Sequence, residues 1–253
     1  DSDDQLRVIK RIMREASVDE TRWPAKQVQS FINGQKDEGR RARHQQPTKS
    51  QFEQVMFALY QSYEDQCQRS GMVDFGELLL RSHEIWLNNP ALLAHYQDRF
   101  RYVLVDEFQD TNTIQYAWLR VLASNHIPIM VVGDDDQSIY GWRGAKIENI
   151  QQFENDFSDA QTVRLEQNYR STSTILSAAN ALIANNGNRL GKQLWTDGDE
   201  GELINLYAAF NEQDEANYIA AQIQAWVNPG RSRAGRAILH RPRDQTSIHE
   251  RCP

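Results

Sequence analysis

Apolar positions in the first hundred residues recur at intervals of three and four, the spacing that gathers them on one face of a helix. Leu6, Ile9, Ile12 and Met13 form the first stripe. A second segment starts at Trp23-Pro24 and carries Val28, Phe31 and Ile32 on one face. Proline suits a helix start because its missing N–H has no partner in the first turn. Phe52, Val55, Met56, Leu59, Tyr60 and Tyr63 mark a third, longer helix. Asp74 stands at an N-cap position with Glu77 in the capping-box place, and Asn88-Asn89-Pro90 ends this fourth helix. From Arg101 the period changes. Strand-like runs at 102–105, 127–132, 161–165, 203–208 and 236–239 alternate with helical patterns at 113–124, 147–157, 172–185 and 212–227. Such alternation predicts an α/β fold with parallel sheets wound with helices, here preceded by an all-helical region.

Composition narrows the class. The chain has 253 residues, enough for one large or two ordinary domains. Hydrophobic residues make up 40% and charged residues 25%, the balance of a soluble globular protein. No apolar run approaches membrane-spanning length, and no signal-peptide pattern is present. The net charge of −7 gives no global basic signature, so a nucleic-acid contact has to come from a local patch or from stacking. One basic stretch, Lys36 to Lys49, carries five Lys/Arg against two acids with no apolar periodicity. It reads either as a solvated loop or as a phosphate contact. Cys67 and Cys252 are far apart and fit no metal or disulfide pattern, which points to a reducing cytoplasm. The chain begins at Asp1 without an initiator Met and moves straight into a helical pattern, as an excerpt from a longer protein would.

The chemistry is concentrated in VLVDEFQDT (103–111) and VVGDDDQSIYGWRGA (131–145). Each is a β-branched apolar run that stops abruptly at acids and amides, as a buried parallel strand does. Ligands of open α/β sheets bind outside the carboxyl ends of the strands, so both polar clusters are expected at one crevice. Asp106 can hold Mg²⁺ through water, and Glu107 beside it can polarise an attacking water. Gln109 and Gln137 are amides able to sense a γ-phosphate. Asp134, Asp135 and Asp136 read as turn and cap residues in preference to a multi-metal nuclease centre. Tyr140 and Trp142, with Arg143 beside them in a glycine-containing loop, suit stacking on unpaired bases. Tyr169 and Arg170 follow the third apolar run, where an arginine can reach a transferring phosphate and a tyrosine can stack on a nucleobase. Together these features suggest a nucleotide hydrolase coupled to a polymer-binding surface.

These motifs resemble those of the superfamily 1 DNA helicases of the UvrD, PcrA and Rep group. VDEFQDT looks like the family's Walker B motif, GDDDQSIYGWRGA like its third motif and LEQNYRS like its fourth. VDFGELLLR (73–81) and the segment 190–220 point to the UvrD branch, and the similarity runs to about Arg241. The resemblance implies an ATP-dependent 3′-to-5′ helicase using ATP and Mg²⁺, acting on single-stranded DNA and single-strand/duplex junctions. It also implies roles in mismatch repair and nucleotide excision repair, and association with their proteins. It assigns Asp106 to Mg²⁺, Glu107 to the catalytic base, Gln137 and Arg170 to the γ-phosphate and Tyr169 to adenine. Tyr140, Trp142 and Arg143 are assigned to DNA. It implies RecA-like P-loop NTPase sheets: 1–100 as a helical accessory domain inserted in the first RecA-like domain, 101–166 as the C-terminal part of that domain, and 167–253 as the start of the second. The chain departs from the family in having no G-x-x-x-x-G-K-[ST] loop, and its tail PRDQTSIHERCP is polar where the family continues toward an apolar helix. A fragment boundary or a shifted reading frame would produce such a tail. Two other readings compete: a non-catalytic single-stranded-DNA-binding module that keeps the stacking loop, and a recombination helicase-nuclease, which requires a nuclease module.

Overall fold

A computed structural model describes residues 1–44, 49–124, 127–187 and 189–228. The chain forms two compact units. The first contains Asp1–Arg164 and Asn185–Lys192, and the second contains Leu165–Ala184 and the chain from Gln193 onward. The chain first passes from one unit to the other at Arg164/Leu165.

The first unit opens with α1 (Ser2–Glu15), α2 (Ala25–Asp37), α3 (Gln51–Ser70), α4 (Phe75–Asn88) and α5 (Pro90–Arg99). The apolar stripes read from the sequence become its core: Ile9, Ile12, Met13, Val28, Ile32, Met56, Leu59, Tyr60 and Tyr63 are buried together. Burying each large side chain contributes about 1.5–3 kcal/mol. The helix ends have local causes. Asp1 and Asp4 form a capping box on α1, Ser50 caps α3, and Gly71 closes α3 in the left-handed conformation. Asp74 caps α4 by accepting from the Glu77 N–H at 2.7 Å. The Glu77 carboxylate does not turn back to complete a capping box, because Arg41, Lys36 and Arg81 draw it away.

Those cations change the reading of the basic stretch. Lys36 is 2% exposed and lies on α2, with its ammonium on Asp74 at 2.8 Å and Glu77 at 3.2 Å. Arg41 is buried and reaches Glu64 at 3.0 Å, Glu77 at 2.6 Å and Glu84 at 2.6 Å. Neither is solvated, and neither is free for a phosphate. Asp74 and Glu77 at the start of α4 balance Lys36, while Glu64 of α3 with Glu77 and Glu84 of α4 balance Arg41, so the two cations together tie α2, α3 and α4. Residues 45–48 of the stretch lie outside the described residues.

After α5 come β1 (Val103–Val105), α6 (Thr113–Ala123), β2 (Ile129–Val131) and α7 (Glu148–Asp156). The strands pair in parallel, Val103 opposite Ile129 and Val105 opposite Val131. Alternation sends Val103, Val105, Ile129 and Val131 toward the helices. There they join two clusters, one built on Phe108, Tyr116 and Phe153, the other on Trp86, Leu122 and Ile127. Leu104 and Met130 point to the other face and are exposed.

The second unit holds α8 (Ser173–Ile183), α9 (Glu212–Val227) and a single parallel bridge between Gln167 and Trp195. The Asn180 amide clamps the Leu194 backbone in both directions, at 2.8 and 3.2 Å. Tyr207 and Tyr218 stack with ring centroids 3.8 Å apart.

Two expected strands are absent as strands. Residues 161–165 and 203–208 run without regular structure, and Val163, Leu165, Leu203 and Leu206 are exposed. A strand exists through its ladder, and no neighbouring strand pairs with either run among the described residues. The run at 236–239, Cys252 and the polar tail lie outside the described residues. Mostly helical structure with a two-stranded parallel sheet is therefore what the described residues show. None of their helices is long and apolar enough to cross a membrane.

Candidate active site and nucleic-acid interface

The carboxyl ends of β1 and β2 carry the polar clusters, side by side. Beyond the strands the pairing continues through Val132 N–H to Val105 (2.7 Å) and Phe108 N–H to Val132 (2.9 Å). Asp106 is exposed and accepts from the Glu107 N–H at 2.9 Å. Glu107 adopts a left-handed conformation, φ 50 and ψ 44, which costs a non-glycine residue about 1 kcal/mol or more. This bend turns the chain out of β1 into a short 3-10 turn over Phe108–Asp110. It leaves the Glu107 carboxylate at the strand end, accepting from Gln109 Nε2 at 2.7 Å.

Gln109 is 1% exposed and joins the two clusters. Its Oε1 accepts from the Asp134 N–H at 2.9 Å. A Cβ on Gly133 would lie 2.9 Å from that same oxygen, so glycine is what lets the two strand ends approach. Asp134 accepts from Gln137 Nε2 at 2.7 Å and from the Asp136 N–H at 3.0 Å, and its carboxylate pairs closely with Lys192. A continuous line of hydrogen bonds thus runs Glu107, Gln109, Asp134, Gln137. Burial pushes the Asp134 carboxyl up, but the Lys192 ammonium and Gln137 amide outweigh it and hold the group below the usual carboxylate range.

The acid run plays the turn role expected of it, and it does more. Carboxylate oxygens of Asp134, Asp135 and Asp136 lie within 4.8 Å of one another instead of diverging. Each is already satisfied from residues 189–192. Arg189 binds Asp136 in a fork at 2.9 and 2.5 Å, the Leu190 N–H binds Asp135 at 2.7 Å, and Lys192 binds Asp134. Asp106 and Glu107, by contrast, have no cationic partner among the described residues. Exposed, unneutralised oxygen donors suit a hydrated Mg²⁺, and of the acids at these two strand ends Asp106 and Glu107 fit that description while the triplet does not.

The aromatic loop follows. Tyr140 and Trp142 face each other at 6.3 Å, and the Arg143 guanidinium lies 5.1 Å from the first ring and 5.7 Å from the second. Trp142 is 80% exposed, so it is no part of the core. The base of the loop is fixed from below. Gly144 (φ 89) sits against Asp37, the Lys146 ammonium pairs with Glu38 at 2.9 Å, and buried Asn149 donates to the Thr111 carbonyl at 3.0 Å. Asn112 donates to Asp37 at 2.9 Å. The end of α2 therefore holds the platform from which the aromatics project.

Tyr169 and Arg170 belong to the second unit. Tyr169 is exposed, and its hydroxyl donates to Gln167 at 2.7 Å. The Asn168 side chain accepts the N–H groups of Arg170 and Ser171 at 2.9 and 2.8 Å, which shapes the turn that carries the arginine. Sequence reasoning missed Arg189, Lys192 and Asn149 as parts of the first-unit site. The only signal was the pair of cations flanking Gly191, more than fifty residues from the acids they meet.

The first unit thus carries a strand-end carboxylate pair, with Glu107 bonded to the buried Gln109, and an exposed aromatic–arginine loop. Comparison with known families gives the class. Residues 1–158 match the UvrD/REP helicase N-terminal domain, and residues 163–250 match the UvrD-like helicase C-terminal domain. The chain belongs to the UvrD/REP helicase family. It is 58% identical over 99% of its length to DNA helicase II of Escherichia coli (strain K12), of which it covers 35%. It is 52% identical to DNA helicase II of Haemophilus influenzae (99% of this chain, 34% of that protein). With the ATP-dependent DNA helicase PcrA of Staphylococcus aureus (strain Mu50) the identity is 39%, over 99% of this chain and 34% of that one. The chain thus spans about a third of the length of these relatives. The matched region runs to residue 250, past Arg241, where the motifs alone place the end of the resemblance.

Proposed function

We propose that the chain is the central part of an ATP-dependent DNA helicase that couples ATP hydrolysis to 3′-to-5′ movement on single-stranded DNA. The observation that carries this reading is the line Glu107–Gln109–Asp134–Gln137 at the ends of two parallel strands, next to an exposed stacking loop. Asp106 would hold Mg²⁺ through water, an ion that shields the triphosphate and draws charge from the γ-phosphoryl group. Glu107 accepts the proton of the attacking water as its oxygen bonds to the γ-phosphorus and the bond to ADP breaks. Gln109 donates to Glu107 Oε2 and so fixes which carboxylate oxygen faces that water. Gln137, its amide oriented by Asp134, keeps a second N–H for a γ-phosphate oxygen. Tyr169 stacks on adenine, and Arg170 stabilises charge on the transferring phosphoryl group.

Tyr140, Trp142 and Arg143 hold bases and backbone of single-stranded DNA, including the single strand beside a duplex junction. The domain reading follows: 1–100 as a helical accessory domain, 101–166 as the end of a first RecA-like domain and 167–253 as the start of a second. A cytoplasmic role in mismatch and nucleotide excision repair, with the proteins of those pathways as partners, is part of the same proposal; the similarity to proteins named DNA helicase II supports the DNA helicase activity on which it rests. The second reading is a non-catalytic single-stranded-DNA-binding module. It draws on the lack of a G-x-x-x-x-G-K-[ST] loop within the 253 residues. A full-length parent carrying Glu107→Gln tests the helicase reading. The helicase reading expects nucleotide binding to persist while DNA-stimulated hydrolysis falls by about 10²-fold or more. Unchanged hydrolysis refutes the role given to Glu107.

A further inference from the structure

The proposed hydrolytic site is completed by a segment that none of its motifs contains. Residues 189–192 form a tight turn, with Gly191 at φ 75 and the Arg189 guanidinium bonded to the Lys192 carbonyl at 2.9 Å. Arg164 holds the same turn through the Gly191 carbonyl at 3.2 Å. The turn presents two cations and one backbone N–H to three consecutive carboxylates, and every one of the three is met. Both cations are largely buried against the acids, with side-chain exposures of 18% for Arg189 and 17% for Lys192. Lys192 also lies 3.6 Å from Asp136, so it bridges two of the acids.

Asp134 is the member that matters. Its carboxylate takes Lys192 on one oxygen and the Gln137 amide on the other, while its backbone N–H binds Gln109. Without Lys192 the charge on Asp134 loses its counter-ion. The carboxylate is then held only by the Asp136 N–H and by the Gln137 amide that it orients, so the position of that amide is less firmly set.

We propose that Lys192 and Arg189 are positioning residues of the hydrolytic site: the 189–192 turn clamps Asp134–Asp136 and thereby fixes the amides of Gln137 and Gln109 relative to Glu107. The inference rests on the reading of that site as a nucleotide hydrolase. It adds two residues whose cationic groups are taken up by the acid run. Misplacing a catalytic group by about 1 Å costs on the order of 10²-fold in rate, so a clamp of this kind has a large lever.

The test is steady-state ATP hydrolysis by the full-length parent with a saturating oligo-dT strand, alongside ADP and oligo-dT affinities. Lys192→Met is expected to lower kcat by about 10-fold or more, with ADP and DNA affinities within about twofold of the parent. Lys192→Arg, which keeps the charge, is expected to recover most of the rate. Asp136→Arg and Arg189→Asp are each expected to lower kcat, and the double swap to restore it to within about threefold. If Lys192→Met does not fold, the swap decides alone: a double variant as slow as either single one overturns the clamp. A folded Lys192→Met protein with kcat within about twofold of the parent overturns it as well. A parent whose hydrolysis does not depend on Glu107 overturns the reading of the site and this inference with it. A Glu107-dependent parent indifferent to Lys192 overturns the inference alone.

Discussion

Replacing Trp142 by alanine separates stacking from packing. The indole is 80% exposed, and its contacts are a tilted ring 6.3 Å away and a guanidinium at 5.7 Å. An exposed cation–π contact contributes about 0.5–1 kcal/mol, and little apolar area is buried, so the folded state should lose no more than about 1 kcal/mol. A base stacked on the ring is a different matter. Losing one such platform costs about 1–3 kcal/mol of binding, a drop in affinity of roughly 5- to 150-fold. The predicted result is a full-length Trp142→Ala protein with near-parental thermal stability and clearly weakened binding of single-stranded DNA. The loss should be similar for oligo-dT and oligo-dA, because every base has a π face, and ATP binding without DNA should be unchanged. Fluorescence anisotropy with labelled homopolymers at one fixed salt concentration measures this; salt must be fixed because phosphate contacts vary steeply with it. Parental DNA affinity in a well-folded variant refutes the stacking role and leaves Tyr140 as the candidate. Loss of stability together with binding refutes the claim that the ring stands outside the core.

Three further outcomes follow from the geometry. Lys36→Met strands Asp74 and Glu77 near an apolar residue; because Tyr63 and Arg41 still serve them, the loss should sit near the lower end of the 3–5 kcal/mol range, about 3 kcal/mol. Faster hydrogen exchange across α2 and α4 is the readout, and parental protection there contradicts it. Burial pushes the Glu77 carboxyl up, but Arg41 and Lys36 more than offset this and hold it below its ordinary 4.5. Its folded value being depressed, its contribution is present above pH 4.5 and is lost as pH falls through the folded value. Exchange protection of α4 should therefore drop on acidification below that value, and constant protection counts against the network. In the full-length parent, Arg170→Ala should slow hydrolysis by about 10³-fold if the guanidinium acts on the transferring phosphoryl group, and near-normal turnover rules that role out.

How much was legible in the sequence depended on whether the cause was local. Helices α6 to α9 lie within about two residues of their expected limits, because periodicity and caps such as Asn112 and Asn211 are written into adjacent positions. The strand ends at Asp106 and Gly133 were legible for the same reason: an apolar run stops at polar residues. The state of Lys36 and Arg41 was not. Their partners Asp74, Glu77 and Glu84 lie some forty residues downstream, and a basic run looks the same whether its cations meet water or buried carboxylates. The runs at 161–165 and 203–208 have strand composition, yet a strand also needs a neighbour, and composition does not say whether one is at hand. Asp134–Asp136 show the same limit at the site. Their turn role could be read locally, but the clamp by residues 189–192 could not.

In the proposed function, chemistry at Glu107 drives movement along one strand of DNA. Strand displacement by the full-length parent tests it most directly, using a duplex with either a 3′ or a 5′ single-stranded tail, with ATP and Mg²⁺. The expected result is unwinding of the 3′-tailed duplex, little of the 5′-tailed one, and none of either by Glu107→Gln protein that still binds the tail. Unwinding that persists in Glu107→Gln, or that favours the 5′ tail, contradicts it.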